Sequence, residues 1–578
     1  MKDSSIDNLR HSCAHLLAAA VMELYPQALR TIGPAIDKGF YYDFDDLKIS
    51  EADLPAIEAK MHELSKTWDR FEGREVSPEE AKKIYKDNPY KLDLIEEFAG
   101  QKLTIYKSGD YEDLCRGGHI DHPDKQLKHF KLLSIAGAYW RSNEKNKMLT
   151  RIYGTAFPTQ EELDKYLWQQ EEAKKRDHRK IGAQLGLWTF SDYVGGGLPL
   201  FTPKGTIVRR LINEYVEELQ NKQGINQVWT PQIAKAELFK ISGHYEKYRE
   251  NLFSIRSNYS DEEFFLKPMN CPQHTQIYAS QPRSYRDLPI RMADFAMLYR
   301  DEKPGELIGL TRTRSFSQDD CHIFCREDQI TAEMNMALDM TKTIMETYGF
   351  KYKYRLSLHD PDHPEKYLGD PQTWAKAEKL SEAVLKDRGM EYFPGVGEAA
   401  FYAPKLDLIA TDSLGREWQL STLQIDFFMP QRFNLTYIDE KGRKQTPVML
   451  HRAISGSPER LMAILIEHFA GAFPTWLSPV HVVILPISDK HLDYAKKVES
   501  GLKSQNIRVE LNDKNEPLNA RIRDTQLQKV PYMLIVGDRE VESNTVARRG
   551  RSGKDYGPQS LNEFIKDLRH EIDNRLNV

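Results

Sequence analysis

The stretch from Tyr299 to Cys325, YRDEKPGELIGLTRTRSFSQDDCHIFC, admits few local structures. Pro304-Gly305 turns the chain, Arg300, Arg312 and Arg314 flank the turn, and Gln318, Asp320 and His322 follow at every second position. Period-two spacing belongs to a strand, so the segment predicts a hairpin with those three side chains on one face and Cys321 on the other. Arginine offers a planar fork of donors that matches phosphate oxygens. A polyphosphate clamp leading into a row of acceptors and metal ligands is one reading. An edge hairpin with ordinary ion pairs is the other, and the segment alone does not choose between them.

At 578 residues the chain predicts three to four domains. Charged residues at 29% and hydrophobic ones at 40% exclude a disordered or fibrous chain. A net charge of −5 announces no nucleic-acid binder, yet leaves room for a local basic surface. There is no run of eighteen apolar residues, hence no transmembrane helix and no membrane partner, and MKDSSIDNLRHSCAHLL has neither a signal nor a transit pattern. A cytoplasmic protein is expected. Cys13, Cys115, Cys271, Cys321 and Cys325 form a sparse, odd set, better read as ligands, nucleophiles and core residues than as disulfides.

Ser4 or Ser5 can cap a helix running to about Tyr25, with Leu9, Cys13, Leu16, Leu17, Ala20 and Leu24 as its buried stripe. His11 and His15 stand one turn apart on another face, where they either grip a ligand or are simply solvated. DLCRGGH, Asp113 to His119, adds Cys115 and His119 on a Gly-rich turn. Strand-like Gly39–Asp45, Lys131–Arg141 and Leu149–Phe157, with a helix over Glu51–Trp68, make residues 1–157 a mixed α+β domain. From Pro158 to about Gly186 the pattern is one charged helix, of which 158–176 would be a linker.

Residues 177–477 would form the largest domain. Phe201–Gly224 is an amphipathic helix leading to a short strand that ends at Pro231. Near the other end, Gly456-Ser457-Pro458-Glu459-Arg460 opens a helix: Ser457 is a natural N-cap, Pro458 suits the first helical position, and Arg460 projects from the first turn. A cation at a positive helix terminus favours an anionic ligand. Cys271, His322 and His451 are suitable zinc ligands that leave a fourth position open, although their spacing alone is too wide to specify a site. From residue 478 to 578, strands HVVILPI, IRVELN and YMLIVG alternate with helices in a parallel-sheet pattern, an α/β domain.

Helix, strand and proline ending at Pro231, the Arg300-Asp301-Glu302 loop, and the Gly456–Arg460 turn occur in the order of motifs 1, 2 and 3 of the class II aminoacyl-tRNA synthetases. Cys271 just before motif 2, His322 just after it and His451 just before motif 3 resemble the threonyl-tRNA synthetase family, bacterial type, and the resemblance runs from His11 to the C-terminus. It implies an α+β multidomain protein with an antiparallel class II sheet core, an N-terminal α+β editing domain and a C-terminal α/β anticodon-binding domain. It implies a threonine-tRNA ligase that activates L-threonine with ATP and Mg²⁺, transfers it to tRNA(Thr), and hydrolyses mischarged seryl-tRNA(Thr). One Zn²⁺ per subunit on Cys271, His322 and His451, and a homodimer built through motif 1, are implied as well.

The residue roles come from the same resemblance. Arg300 and Arg460 would bracket the triphosphate, Glu302 would meet the adenine amino group, and Arg312, Gln424 and Ser457 would line the ATP site. Asp320, Gln318, Tyr402, Gln419 and Lys405 would form the threonine pocket, and His244 would stand near the accepting ribose. Gln424 follows Gln419 by five residues, so sharing one face requires a turn or bulge between them. His11, His15, Cys115 and His119, with Asp113, Lys91, Tyr42 and Gly33, would form the editing site, with no metal implied there. Asn515, Glu540 and Arg549 would read anticodon bases. Gly118 stands where proline commonly precedes the last histidine and Gln273 where glycine is usual, and a small ubiquitin-like domain that usually opens the family is expected to be lacking. A paralogue that binds tRNA without catalysis would have lost a motif arginine or a zinc-ligand residue, and a prolyl enzyme lacks the Cys-His-His set.

Overall fold

Gly39–Asp45, GFYYDFD, alternates aromatic and acidic residues, a pattern that only a pleated strand can sort onto two faces. In the computed structural model, which describes residues 4–98 and 100–577, it is strand β1 (Gly39–Asp45). The chain separates into two compact units, residues 1–171 and 172–578.

In the first unit β1 pairs with β6 (Met148–Ala156), which pairs with β5 (Phe130–Tyr139), in a five-stranded antiparallel sheet. Helix α1 (Ser4–Leu24) packs between that sheet and α2 (Leu54–Ser65). Its burial is wider than a stripe: nearly every residue from Leu9 to Val21 is buried, because Ala14, Ala18 and Ala19 let neighbours approach from several sides. Leu24, expected inside, is 39% exposed at the helix end. A second sheet joins β2 (Glu72–Val76), β3 (Leu103–Ser108) and β4 (Tyr111–Leu114), and α3 (Pro89–Glu97) begins on Asn88, whose side chain accepts from Tyr90 and Lys91 N–H.

The segment read as one helix from Pro158 to Gly186 is two. Helix α4 (Gln160–Arg176) stops because the Asp177 carboxylate accepts the N–H of Arg179 and starts α5 (His178–Gln184). In the second unit, eight strands run in the order β7 (Asn226–Gln227), β8 (Ile290–Asp294), β11 (Asp320–Cys325), β16 (Val448–Ala453), β15 (Glu417–Asp426), β14 (Lys405–Thr411), β12 (Lys351–Leu358) and β13 (Tyr392–Val396). The central pairs are antiparallel, and only the outer β7–β8 and β12–β13 pairs are parallel. The expected hairpin forms between β9 (Met297–Tyr299) and β10 (Ser315–Ser317). It ends before Gln318, so Asp320 and His322 belong to a separate strand, β11.

Beneath the sheet lie α6 (Pro203–Lys222), α8 (Ile330–Tyr348) and α9 (Pro458–His468). Nine of the eleven α9 residues are buried, as a helix apolar on most sides must be. Ser457 caps it by accepting the Arg460 N–H, with Pro458 at the first position. One carboxylate joins the three motif regions: Glu459 of α9 accepts from Arg209 of α6 at 2.8 Å and from both the backbone N–H and the hydroxyl of Ser317 in β10 at 3.0 Å. Asp319 accepts the N–H groups of Ile454, Ser455 and Gly456 at 2.8–2.9 Å and so shapes the turn into α9. That turn needs glycine: Gly456 has φ +75°, and a Cβ there would lie 2.5 Å from the Leu420 carbonyl.

The last region has a mixed sheet rather than a parallel one. Val482–Pro486 pairs in parallel with Val509–Leu511 and Tyr532–Val536, but Thr545–Gly550 and Asp555–Ser560 extend it antiparallel. TVARRG and DYGPQS hide this because their polar, Gly- and Pro-containing sequences lack an apolar alternation.

Candidate active site and candidate editing site

Strand register builds the floor of the larger site. Directly opposed residues in an antiparallel pair share a face, and His322 opposes His451, His451 opposes Gln424, and Gln424 opposes Lys405. These four side chains therefore form a row across β11, β16, β15 and β14. The next row, Cys321, Arg452, Leu423 and Leu406, faces the helices. Gln419 joins the upper face because β15 bulges: Asp407 opposes Thr422 but Ile409 opposes Gln419, leaving two residues against Leu408.

Over this floor lies a cavity of about 720 Å³. Cys271, His322 and His451 line one part of it, and Arg300, Ser457 and Arg460 another. Gln318, Asp320, Tyr402, Lys405, Gln419 and Gln424 line it too, as do Glu302 and Arg312. Cys271 is delivered by the first turn of α7 (Cys271–Ala279), and the three ligand-type atoms lie within 4.8 Å of one another. His451 Nε2–H donates to Asp426 Oδ2 at 2.9 Å, which turns Nδ1 toward His322 Nε2 at 3.0 Å. Burial holds His322 well below the ordinary imidazole value and so favours its neutral, ligating form. One thiol and two such imidazoles, buried together with an open cavity beside them, fit a zinc ion with a free coordination position. Asp426 and His274, whose Nδ1 lies 2.8 Å from His322 Nδ1, were missed in the sequence. The signal was there: Asp426 follows Gln424 by two in a strand, and His274 follows Cys271 by three in a helix.

At the phosphate-type end, Arg300 lies over the Phe316 ring at 4.9 Å, and Nε of both Arg300 and Arg460 is buried with no hydrogen-bond partner among the described residues. Burial, and then the charge of Arg312, press against the Arg460 cation. An anion in the cavity would relieve both. Arg312 itself is paired with Glu302 and Glu306 at 2.8 Å, so the carboxylate expected at the adenine holds an arginine. Gln419 is engaged at both ends, donating to Asp407 and accepting from Arg355, and Lys405 lies 3.3 Å from Asp407. His244 is buried immediately behind the cavity wall, its Nε2 3.2 Å from Met269 Sδ and 3.9 Å from Cys271 Sγ, two residues that line the cavity.

In the first unit, the ligand-type atoms of His11, His15, Cys115 and His119 lie within 4.8 Å of one another. His11 Nε2 is 3.0 Å and His119 Nε2 3.3 Å from Cys115 Sγ, and His119 is stacked between Phe71 and His11. Gly117 and Gly118 have φ +90° and +83°, and proline could not take the second value. Behind the histidines, Lys91 and Asp113 form a buried pair at 2.7 Å. Burial opposes the Asp113 carboxylate, yet Lys91 and Arg30 outweigh it and hold it well below the usual range. Tyr42 also donates to Asp113, and Gly33 is required beside it, since a Cβ at Gly33 would lie 2.1 Å from the Tyr42 ring. Burial pushes the Cys115 thiol up to about 11 and His119 down to about 3, and it lowers His11 and His15 as well.

This has a consequence for pH. Folded His15, 3% exposed, stays neutral where an unfolded histidine takes a proton near pH 6.5. The unfolded state therefore gains protons that the folded one refuses, and the first unit loses stability as pH falls below 6.5, by up to ~1.4 kcal/mol per pH unit for that residue. Its calorimetric transition is expected to be level between pH 8 and 7 and to drop by pH 5.5. A level profile down to 5.5 would contradict neutral burial.

In the last region, Asn515 is exposed, Glu540 accepts the Gly537 N–H at 2.9 Å, and Arg549 Nε has no partner among the described residues. No described helix is long and apolar enough to cross a membrane, and all five cysteines are free.

Known proteins resemble the chain over nearly its whole length. The family model of the tRNA synthetase class II core domain (G, H, P, S and T) matches residues 253–469, the anticodon binding domain matches 481–571, and the threonyl and alanyl tRNA synthetase second additional domain matches 103–153. A threonine–tRNA ligase of Rubrobacter xylanophilus is 50% identical over 98% of this chain and 88% of its own length, and one of Thermotoga maritima is 47% identical over 97% and 88%. The solved RNA binding domain of threonyl-tRNA synthetase from Cryptosporidium parvum Iowa II superimposes with a TM-score of 0.65 at 37% identity, covering 68% of this chain and 98% of that one. Three matched domains and identity across nearly the whole chain establish that it belongs to the threonine–tRNA ligase family of class II aminoacyl-tRNA synthetases.

Proposed function

We propose that the cavity activates threonine and that the first unit hydrolyses seryl-tRNA(Thr), with the residue roles given below. The observation that carries the first half is one cavity holding two arginines with unpartnered Nε atoms and a Cys-His-His set. The threonine carboxylate attacks the α-phosphate of Mg²⁺-bound ATP, and pyrophosphate leaves. Arg300 stabilises charge on the α-phosphate, and Arg460, on the positive end of α9, holds the γ-phosphate. Ser457 fixes that helix end. Asp320 accepts a hydrogen bond from the threonine hydroxyl, and Gln318, Tyr402 and Gln424 wall the amino acid. Lys405 and Gln419 act through Asp407, and Arg312 fixes Glu302 against the adenine.

Zinc on Cys271, His322 and His451 would supply a Lewis acid that takes both the amino group and the hydroxyl of threonine, a contact valine cannot make. Serine has both groups and lacks only a methyl, worth ~1–3 kcal/mol, so a second sieve is needed. In it the neutral His11, His15 and His119 accept hydrogen bonds from the attacking water, whose proton leaves with the departing ribose oxygen, Cys115 fixes the imidazoles of His11 and His119, and the Lys91–Asp113 pair with Tyr42 and Gly33 keeps the wall rigid. Asn515, Glu540 and Arg549 meet the anticodon. A homodimer through the motif 1 region is supported by Trp229, 72% exposed two residues before Pro231, and the cytoplasm is the proposed compartment.

The test is ATP–pyrophosphate exchange with threonine, serine, valine and proline, followed by hydrolysis of seryl-tRNA(Thr). Exchange is expected with threonine, less with serine and negligibly with valine and proline. Exchange with none of them, or valine matching threonine, would overturn the assignment.

A further inference from the structure

His178 opens α5 and is 3% exposed, yet it reaches both the motif 3 helix and the motif 2 loop. Its Nδ1 lies 2.6 Å and its backbone N 3.0 Å from Glu467 Oε1, near the end of α9. Arg416 holds the other carboxylate oxygen at 2.6 Å. An ionised carboxylate only accepts, so Nδ1 carries the proton and Nε2 keeps its lone pair. That lone pair accepts the N–H of Leu310 at 3.1 Å, and Leu310 is 1% exposed.

We propose that His178 is a positioning residue for the ATP half of the cavity, holding the motif 2 loop so that Thr311 and Arg312 face it. The loop is closed on itself: the Ile308 carbonyl accepts from Thr311 N at 2.9 Å and from Arg312 N at 3.2 Å. Fixing Leu310 therefore fixes Thr311 and Arg312, which both line the cavity. The loop is also pressed onto the imidazole, since a Cβ at Gly309, φ +46°, would lie 2.2 Å from His178 Nε2. Arg312 is anchored separately by Glu302 and Glu306, so losing His178 frees the tip while leaving its outer anchor.

The inference rests on reading this loop as an ATP contact, and the test separates the two. His178→Ala removes the acceptor and Gly309→Ala displaces the loop from the other side, with Arg312→Ala as the check on the loop itself. Threonine-dependent exchange in the full chain is measured against ATP and against threonine, alongside melting temperature. In both H178A and G309A the KM for ATP should rise about tenfold, with the KM for threonine within about twofold. A lower melting temperature with unchanged KM for ATP would reduce His178 to packing and overturn the proposal. If R312A alone raises the KM for ATP, the proposal falls and the loop reading stands. If none of the three does, both fall.

Discussion

Alanine at Arg300 is expected to lower kcat/KM for threonine-dependent ATP–pyrophosphate exchange by about a thousandfold, or ~4 kcal/mol of transition-state stabilisation. Its Nε has no hydrogen-bond partner among the described residues and Phe316 lies under its guanidinium, so the cation is held in place before ligand arrives. A donor fixed in a site that excludes water costs no reorganisation when charge develops on the α-phosphate. Arg300→Lys should recover only part of the loss, because an ammonium keeps the charge and loses the planar fork. Steady-state exchange, normalised to the active sites found by adenylate burst, reads both variants. A loss below about tenfold in R300A would remove Arg300 from the chemistry.

Alanine at Cys271 is expected to reduce tightly held zinc from about one per chain to a small fraction, and threonine activation with it by about a hundredfold or more. The donor set is the smallest that can close a site, and two imidazoles alone are a poor trap for zinc. Asp426 and His274 orient the histidines but cannot replace a thiolate. Elemental analysis after dialysis gives the metal content, and exchange with threonine and valine gives the consequence for selection. One zinc per chain retained in C271A would sink the assignment of the ligand set.

Much of this was legible in the sequence, and the failures share a cause. Strand β1 and the Ser457-Pro458 start of α9 were read from local patterns, because alternation and capping are themselves local. The bulge in β15 was legible only as a requirement, from the odd spacing of Gln419 and Gln424. The break at Asp177 was not, since apolar and charged residues continue through it at helical spacing while one carboxylate resets the chain. His244 has a polar sequence context, and only packing shows that it is buried beside Cys271. His178 carries no motif signal of its own, and Glu459, although it stands within the Gly456–Arg460 turn, gives no local sign of its junction role, because their partners lie 289 and 250 residues away.

The Glu459 junction also sets a clock. Its carboxylate leaves the ribosome 250 residues after Arg209, roughly 12–50 s later at about 5–20 residues per second. Throughout that interval Arg209, and Ser317 once it is made, lack the acceptor that joins them, so the activating site is a late product of translation. The first unit, with its own core within residues 1–171, is complete before any of the three motifs has been made. The part of the chain that corrects an error is therefore built before the part that can commit one.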